Sequence, residues 1–200
     1  MLRRSLLPAF IAAVLALAAP AARAQADAGA FANSLAQKVI DGLTVPGLSD
    51  EERARRFREV FTEGFDVPLI ARFVLGRYWR VATEAERAEY LRLFDELIVT
   101  TYSRRFAEFP GAQFKVLSVS KPNEDGDQIV SIDGTIPAKS PVRLDARVRP
   151  TDGRFKIIDI ALEGVSMAIT QRDEFGAVIQ RGGGQMNALL ANLREKTSQR

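Results

Sequence analysis

Apolar residues recur along this chain first at helical spacing, then in alternation, then at helical spacing again. Phe31, Leu35 and Val39 stand four apart and predict a first helix, which residues 44–48 break. Ser49 followed by Glu52 has the form of a capping box for a second helix, with Ala54, Phe57, Val60 and Phe61 as its inner face and Gly64 at its end. Asp66 suits the cap of a short third helix that carries Pro68 in its first turn, where proline is tolerated. Its apolar side reads Leu69, Ile70, Phe73 and Val74, and Gly76 stops it. Thr83 and Glu86 form another capping box and open what reads as the longest helix, to about Phe109. Tyr90, Phe94, Leu97, Ile98, Tyr102, Phe106 and Phe109 form its stripe, and Pro110-Gly111 closes it.

The period then changes to two. Phe114 to Ser120 and Gln128 to Ile136 read as strands separated by an Asp125-Gly126 turn. Val142, Leu144, Ala146 and Val148 alternate with Arg143, Asp145, Arg147 and Arg149, so one face of this strand is buried and the other solvated. Asp152-Gly153 signals a hairpin into Phe155 to Leu162, which is apolar on both sides and reads as a central strand. Beyond Gly164, Thr170 and Asp173 suit a helix start with Phe175, Val178 and Ile179 inside. Gly182-Gly183-Gly184 interrupts, and Met186, Leu189, Leu190 and Leu193 form a last amphipathic helix. The order predicts an α+β fold: a four-stranded twisted antiparallel sheet packed against several helices.

The amino terminus follows a different logic. Arg3 and Arg4 precede an apolar run from Leu6 to Ala19, too short to span a bilayer comfortably, and Ala22-Arg23-Ala24 is an A-x-A cleavage pattern. Residues 1–24 are thus expected to be a signal peptide cleaved near Ala24, and residues 25–200 a single domain. Arg3-Arg4-Ser5-Leu6-Leu7 also approaches the twin-arginine pattern, although paired arginines are common in such regions. Removing the segment changes the electrostatics. The full chain has 28 Lys+Arg against 25 Asp+Glu, and Arg3, Arg4 and Arg23 leave with the signal, so the remainder is formally neutral. No sustained basic block remains to support a nucleic-acid footprint.

Two residue types are missing. The chain has no Cys, so an exported domain of this length must be stabilised by packing rather than disulfides. It has no His, which removes His-based nucleophilic catalysis and the common zinc and non-haem iron sites. The glycine run at 182–184 follows a helix rather than a strand, which suits a C-cap better than a phosphate cradle. Ser118-Val119-Ser120-Lys121 matches a serine–lysine nucleophile pattern but falls at a strand end, whereas that chemistry needs a helix. Asp133, Asp145 and Asp159 lie mid-strand, where pairing with Arg143, Arg147 and Arg149 is the simpler expectation than a metal site. The aromatic residues of 65–80 with Tyr102, Phe106 and Phe109 suit either a packed core or a lined cavity, and composition does not separate the two.

Two segments carry a resemblance. Phe65 to Arg80, which contains Val74-Leu75-Gly76-Arg77-Tyr78, resembles the V-L-G-x-Y segment of the MlaC (toluene-tolerance) family. Glu163-Gly164-Val165-Ser166-Met167, continuing through Thr170 to Phe175, resembles its E-G-V-S-M signature and the helix that follows. The similarity extends over essentially all of residues 25–200, with one departure at Ala146, where the family often carries an aromatic residue. The resemblance implies an apolar cavity between sheet and helices, and a soluble periplasmic carrier of phospholipid between inner and outer membranes. It further implies partnership with an inner-membrane ABC transporter complex bearing an MCE-domain subunit and with an outer-membrane lipoprotein complex. No cofactor and no catalytic residue are implied. Carried over by position, the expected lipid-binding residues are Phe73, Tyr78, Tyr102, Phe106, Val142, Leu144, Val148 and Val165, through apolar contact. Glu163 and Ser166 are expected to hold the strand-to-helix turn by hydrogen bonding. A cavity for two acyl tails would measure about 500 Å³ or more. Left empty, it would cost about 12 kcal/mol, comparable to the stability of a whole domain. Other readings at this level are a carrier of another lipid such as a hopanoid, a periplasmic chaperone or adaptor for apolar segments, and a small-molecule enzyme, which the lack of His disfavours.

Overall fold

The computed structural model describes residues 19–137 and 140–198, so residues 1–18 of the expected signal segment lie outside the described residues. Helix α1 (Ala19–Leu43) buries Ala28, Ala32, Leu43 and the expected Leu35, with Phe31 partly buried against the same core. The small side chains bring the helix close to the sheet: a Cβ added at Gly29 would stand 3.2 Å from Val119 Cγ2. At 25 residues α1, not the helix opened by Thr83, is the longest described. Helix α2 (Asp50–Gly64) begins as expected at Ser49, whose Oγ accepts from the Glu52 amide at 3.2 Å. The reciprocal half of the box does not form, because the Glu52 carboxylate turns to Arg55 and Arg56. Arg53 is the buried residue of the first turn. Its guanidinium donates to the carbonyls of Leu43 and Leu48 and so satisfies the end of α1 and the loop after it.

Helix α3 (Val67–Leu75) is capped by Asp66, which accepts from the Leu69 amide at 3.1 Å, and stops at Gly76 with φ +58°. It buries Ala71, Val74 and Leu75, while Leu69 and Phe73 face outward. The short α4 (Tyr78–Val81) leads to α5 (Glu84–Ser103), whose capping box of Thr83 and Glu86 is complete. The last turn expected of that helix tightens into a 3₁₀ segment, Arg104–Glu108.

Strands β1 (Gln113–Val119), β2 (Gln128–Thr135), β3 (Val142–Thr151) and β4 (Arg154–Leu162) fall where alternation predicted them and pair in sequential antiparallel order. A fifth strand, β5 (Val165–Ser166), joins β4 through a two-residue turn at Glu163-Gly164, so the sheet has five strands rather than four. Strand β4 is therefore not central. Among the described residues, β5 and a bridge from Phe65 to Ile157 lie beyond it, and the Asp66 amide donates to the Ile157 carbonyl at 3.0 Å. Register shifts between Val116 and Ser118 and between Arg147 and Val148 are β-bulges, which increase local twist. Helix α6 (Met167–Arg181) starts before the expected Thr170 because Ser166 caps it. Helix α7 (Met186–Ser198) follows the triple glycine, where a Cβ at Gly182 would fall 2.1 Å from that of Ala188.

Two hydrophobic cores result. One joins α3, α5, α6 and α7 around Tyr90, Phe94 and Phe175. The other lies between α1 and the sheet, around Val130, Ala146, Val148 and Ile157. The opposite sheet face is polar and laddered by charge. Asp133 sits opposite Arg143, and Arg147 opposite Asp159. The hub of this face is a residue the alternation pattern did not single out, the buried Asp127. Its carboxylate accepts from Arg147 at 2.9 Å and from Arg149 at 2.6 and 2.9 Å.

The Arg149 hydrogen bonds, with the charges of both arginines, hold the Asp127 carboxyl below the usual carboxylate range, outweighing the burial that pushes it up. A depressed folded-state pKa stabilises the protein above the unfolded value, about 3.9, and that contribution is lost as pH falls through the folded value. Glu52, brought down to about 2 by Arg55 and Arg56, acts in the same direction. Denaturant midpoints measured from pH 7 to pH 2 should fall across the acid range, and Asp127→Asn should flatten part of that fall. An unchanged acid slope in the variant would show that Asp127 is not a source of it.

Candidate functional site

The turn from β4 through β5 into α6 is built by short-range hydrogen bonds. Ser166 Oγ accepts from the Ile169 amide at 3.1 Å and donates to Asp159 Oδ2 at 2.6 Å, while Asp159 Oδ1 accepts from the Ala168 amide at 3.1 Å. Glu163 takes φ +49° and Gly164 +80°, as a two-residue hairpin turn with positive φ at both positions requires. The Glu163 amide donates to the Arg143 carbonyl, and Glu163 Oε1 accepts from the Arg143 amide at 2.6 Å, so the turn is tied to the edge of β3. Glu163 and Ser166 thus hold the strand-to-helix connection.

Against this connection lies a cavity of ≈ 350 Å³ lined by Tyr102, Leu162, Glu163, Val165, Met167, Thr170, Gln171 and Glu174. The end of α5 supplies Tyr102, the strands supply Leu162 and Val165, and the first two turns of α6 supply the rest. Tyr102, Leu162, Val165 and Met167 are its apolar or aromatic members. Leu162 and Val165 are 43% and 61% exposed, and the neighbouring Ile169 is 52% exposed. Burial pushes the Tyr102 phenol up, so it stays neutral, and the Arg105 guanidinium stands 5.4 Å from its ring centroid. A second hollow of ≈ 550 Å³, between α2 and the β3–β4 hairpin, is lined by Arg58, Glu59, Thr62, Glu63, Arg154 and Lys156, all polar or charged residue types.

Of the eight residues expected from the sequence, Tyr102 and Val165 meet in this cavity. Leu144 stands one strand away, in register with Leu162. Val142 lies on the same strand opposite Gly134, and Val148 is fully buried in the core beneath α1. Phe106 begins an aromatic row: its ring lies 5.9 Å from Phe57, Phe57 lies 5.7 Å from Phe61, and Phe61 lies 4.9 Å from Phe65. Tyr78 packs against the helical core. Phe73 lies on the outer side of α3, beneath the Arg172 guanidinium at 5.1 Å. Sequence reasoning passed over Leu162, Met167, Thr170, Gln171 and Glu174 as lining residues. The signal was present in their adjacency to the E-G-V-S-M segment, since a strand that turns directly into a helix exposes the residues on both sides of the turn to one space.

Among the described residues, no group of three or more His, Cys, Asp or Glu side chains is placed to hold a metal ion, and no helix is long and apolar enough to cross a membrane.

A sequential antiparallel meander, flanked by helices before and after it and with a hollow at its last turn, defines an α+β fold. The chain belongs to the MlaC family, whose model, described as MlaC protein, matches residues 33–195. The fold is also that of a solved phospholipid-binding protein from Ralstonia solanacearum in complex with a phospholipid. The two superpose with a TM-score of 0.78 over 86% of this chain and 98% of that one, at 22% identity.

Proposed function

We propose that this protein is a soluble periplasmic carrier of phospholipid, exported through a signal peptide cleaved near Ala24, rather than an enzyme. The observation that carries the reading is the partly apolar cavity at the β4–β5–α6 turn, on a fold whose solved relative holds a phospholipid. In this reading the chain is the substrate-binding component of an ABC transport system that maintains outer-membrane lipid asymmetry. It exchanges lipid with an inner-membrane complex bearing an MCE-domain subunit and with an outer-membrane lipoprotein complex, and needs no cofactor. Acyl chains lose about 0.8 kcal/mol per CH₂ on exposure to water, so a diacyl lipid requires such a carrier to cross an aqueous space. Because ≈ 350 Å³ is less than two tails occupy, loading requires the cavity to widen. Cleavage before Gln25 would leave the packing residues of α1, Ala28, Ala32 and Leu35, in the mature chain.

The test is organic extraction of the purified protein followed by mass spectrometry, with Val165→Glu beside the wild type. A carrier releases stoichiometric phospholipid. Val165 is 61% exposed, so the substituted chain should fold. Its carboxylate faces hydrocarbon only when lipid is bound, and the lipid content should fall by about tenfold or more. Wild-type protein that releases no lipid, or a variant that carries the wild-type amount, would contradict the reading.

A further inference from the structure

Half of the cavity's lining residues are apolar or aromatic, and the polar half includes two glutamates. Its polar rim is Glu163, Thr170, Gln171 and Glu174, and no Lys or Arg is among its lining residues. Neither glutamate takes part in an ion pair among the described residues. What each carboxylate accepts is a neutral donor: Glu163 Oε1 the Arg143 amide at 2.6 Å, and Glu174 Oε2 the Gln171 side-chain amide at 3.2 Å. Those bonds position the carboxylates and leave their charge in place.

The nearby guanidiniums are engaged elsewhere. Arg143 turns to Ser131 at 3.0 Å and Asp145 at 3.6 Å, and Arg172 lies over Phe73. Arg105, over the Tyr102 ring, is the one that offsets part of the field. Local propensity does not account for Glu163, because a turn with two positive φ values favours Asn, Asp or Gly at its first position.

Resting on the carrier reading, we propose that Glu163 and Glu174 select the headgroup, favouring phospholipids that carry an ammonium over those of net negative charge. With the tails against the apolar lining residues, the headgroup lies at this rim. An ethanolamine ammonium can donate to either carboxylate, whereas a glycerol headgroup leaves the phosphate charge facing two like charges. At a solvent-facing rim each such interaction is modest and screened by salt, so the preference is a severalfold one rather than absolute.

The experiment loads delipidated full-length mature protein from vesicles of equimolar phosphatidylethanolamine and phosphatidylglycerol with identical acyl chains. Mass spectrometry then reads the ratio of bound lipids at about 20 mM and about 500 mM salt, conditions that change the screening length severalfold. The wild type should favour phosphatidylethanolamine about fivefold at low salt. The preference should shrink at high salt and approach parity in the Glu163→Gln/Glu174→Gln double variant, whose amides keep the shape. Parity in the wild type, a salt-independent ratio, or an unchanged ratio in the double variant would overturn the selection. Wild-type protein that takes up neither lipid would instead overturn the carrier reading beneath it.

Discussion

Emptied of lipid, the protein should melt about 10 °C below its lipid-loaded form. A ligand that binds only the native state stabilises it by an amount set by its excess over Kd, about 4 kcal/mol at a thousandfold excess. For a chain of this size each kcal/mol shifts Tm by about 2–4 °C. Bare walls also lack the contacts that hydrocarbon would make with Tyr102, Leu162, Val165 and Met167. Two further readouts should move together. The empty protein should bind an apolar dye such as ANS, and restored phospholipid should reverse both changes. A soluble headgroup alone should not, because the tails supply the contact. Protein shown by mass spectrometry to be empty, yet melting with the loaded form, would mean that the space is an incidental surface hollow.

The other large effect lies away from the cavity. Phe175→Ala should destabilise the protein by about 3–5 kcal/mol, because it removes a large side chain from a dense core. Phe175 is only 2% exposed and stands edge-on to Tyr90 at 6.1 Å and to Phe94 at 6.4 Å. Tyr90 is itself fixed, its hydroxyl donating to the Ala71 carbonyl at 2.8 Å, so the walls cannot easily collapse inward. Denaturant unfolding should show a lowered midpoint with an unchanged slope. Phe73→Ala, on the exposed side of α3, should cost less than about 1 kcal/mol. Equal costs at the two positions would mean that α6 does not dock as described.

The contrast between Phe175 and Phe73 marks the boundary between local and tertiary information. Both are phenylalanines on an apolar stripe at helical spacing. Periodicity reports that a face exists; it does not report which neighbour covers it, or whether any does. Helix α3 is covered through Ala71, Val74 and Leu75, and Phe73 points away.

The E-G-V-S-M segment was legible as a family signature, and it led to Tyr102 and Val165. Their meeting in one space depends on α5 ending beside the β5 turn, a long-range relation with no trace in either segment alone. The same holds for Val148, expected at a cavity and found in the α1-side core, and for Asp127, whose two arginine partners lie twenty and twenty-two residues onward.

What the sequence by itself determined was whatever depends on a few neighbouring residues. The caps at Ser49, Asp66 and Thr83 are hydrogen bonds spanning three residues, and each helix begins where they predict. The alternation of Val142 to Arg149 and the Asp152-Gly153 turn place β3 and β4, because the pleat and the positive φ values are imposed within the strand and turn themselves. The tertiary structure alone decided the burial of Arg53 and Asp127, the division into two cores and the meeting of α5 with the β4–β5–α6 turn at the cavity. Each is a property of the space between elements, filled or left open according to which faces dock, and no local pattern in the chain encodes the docking.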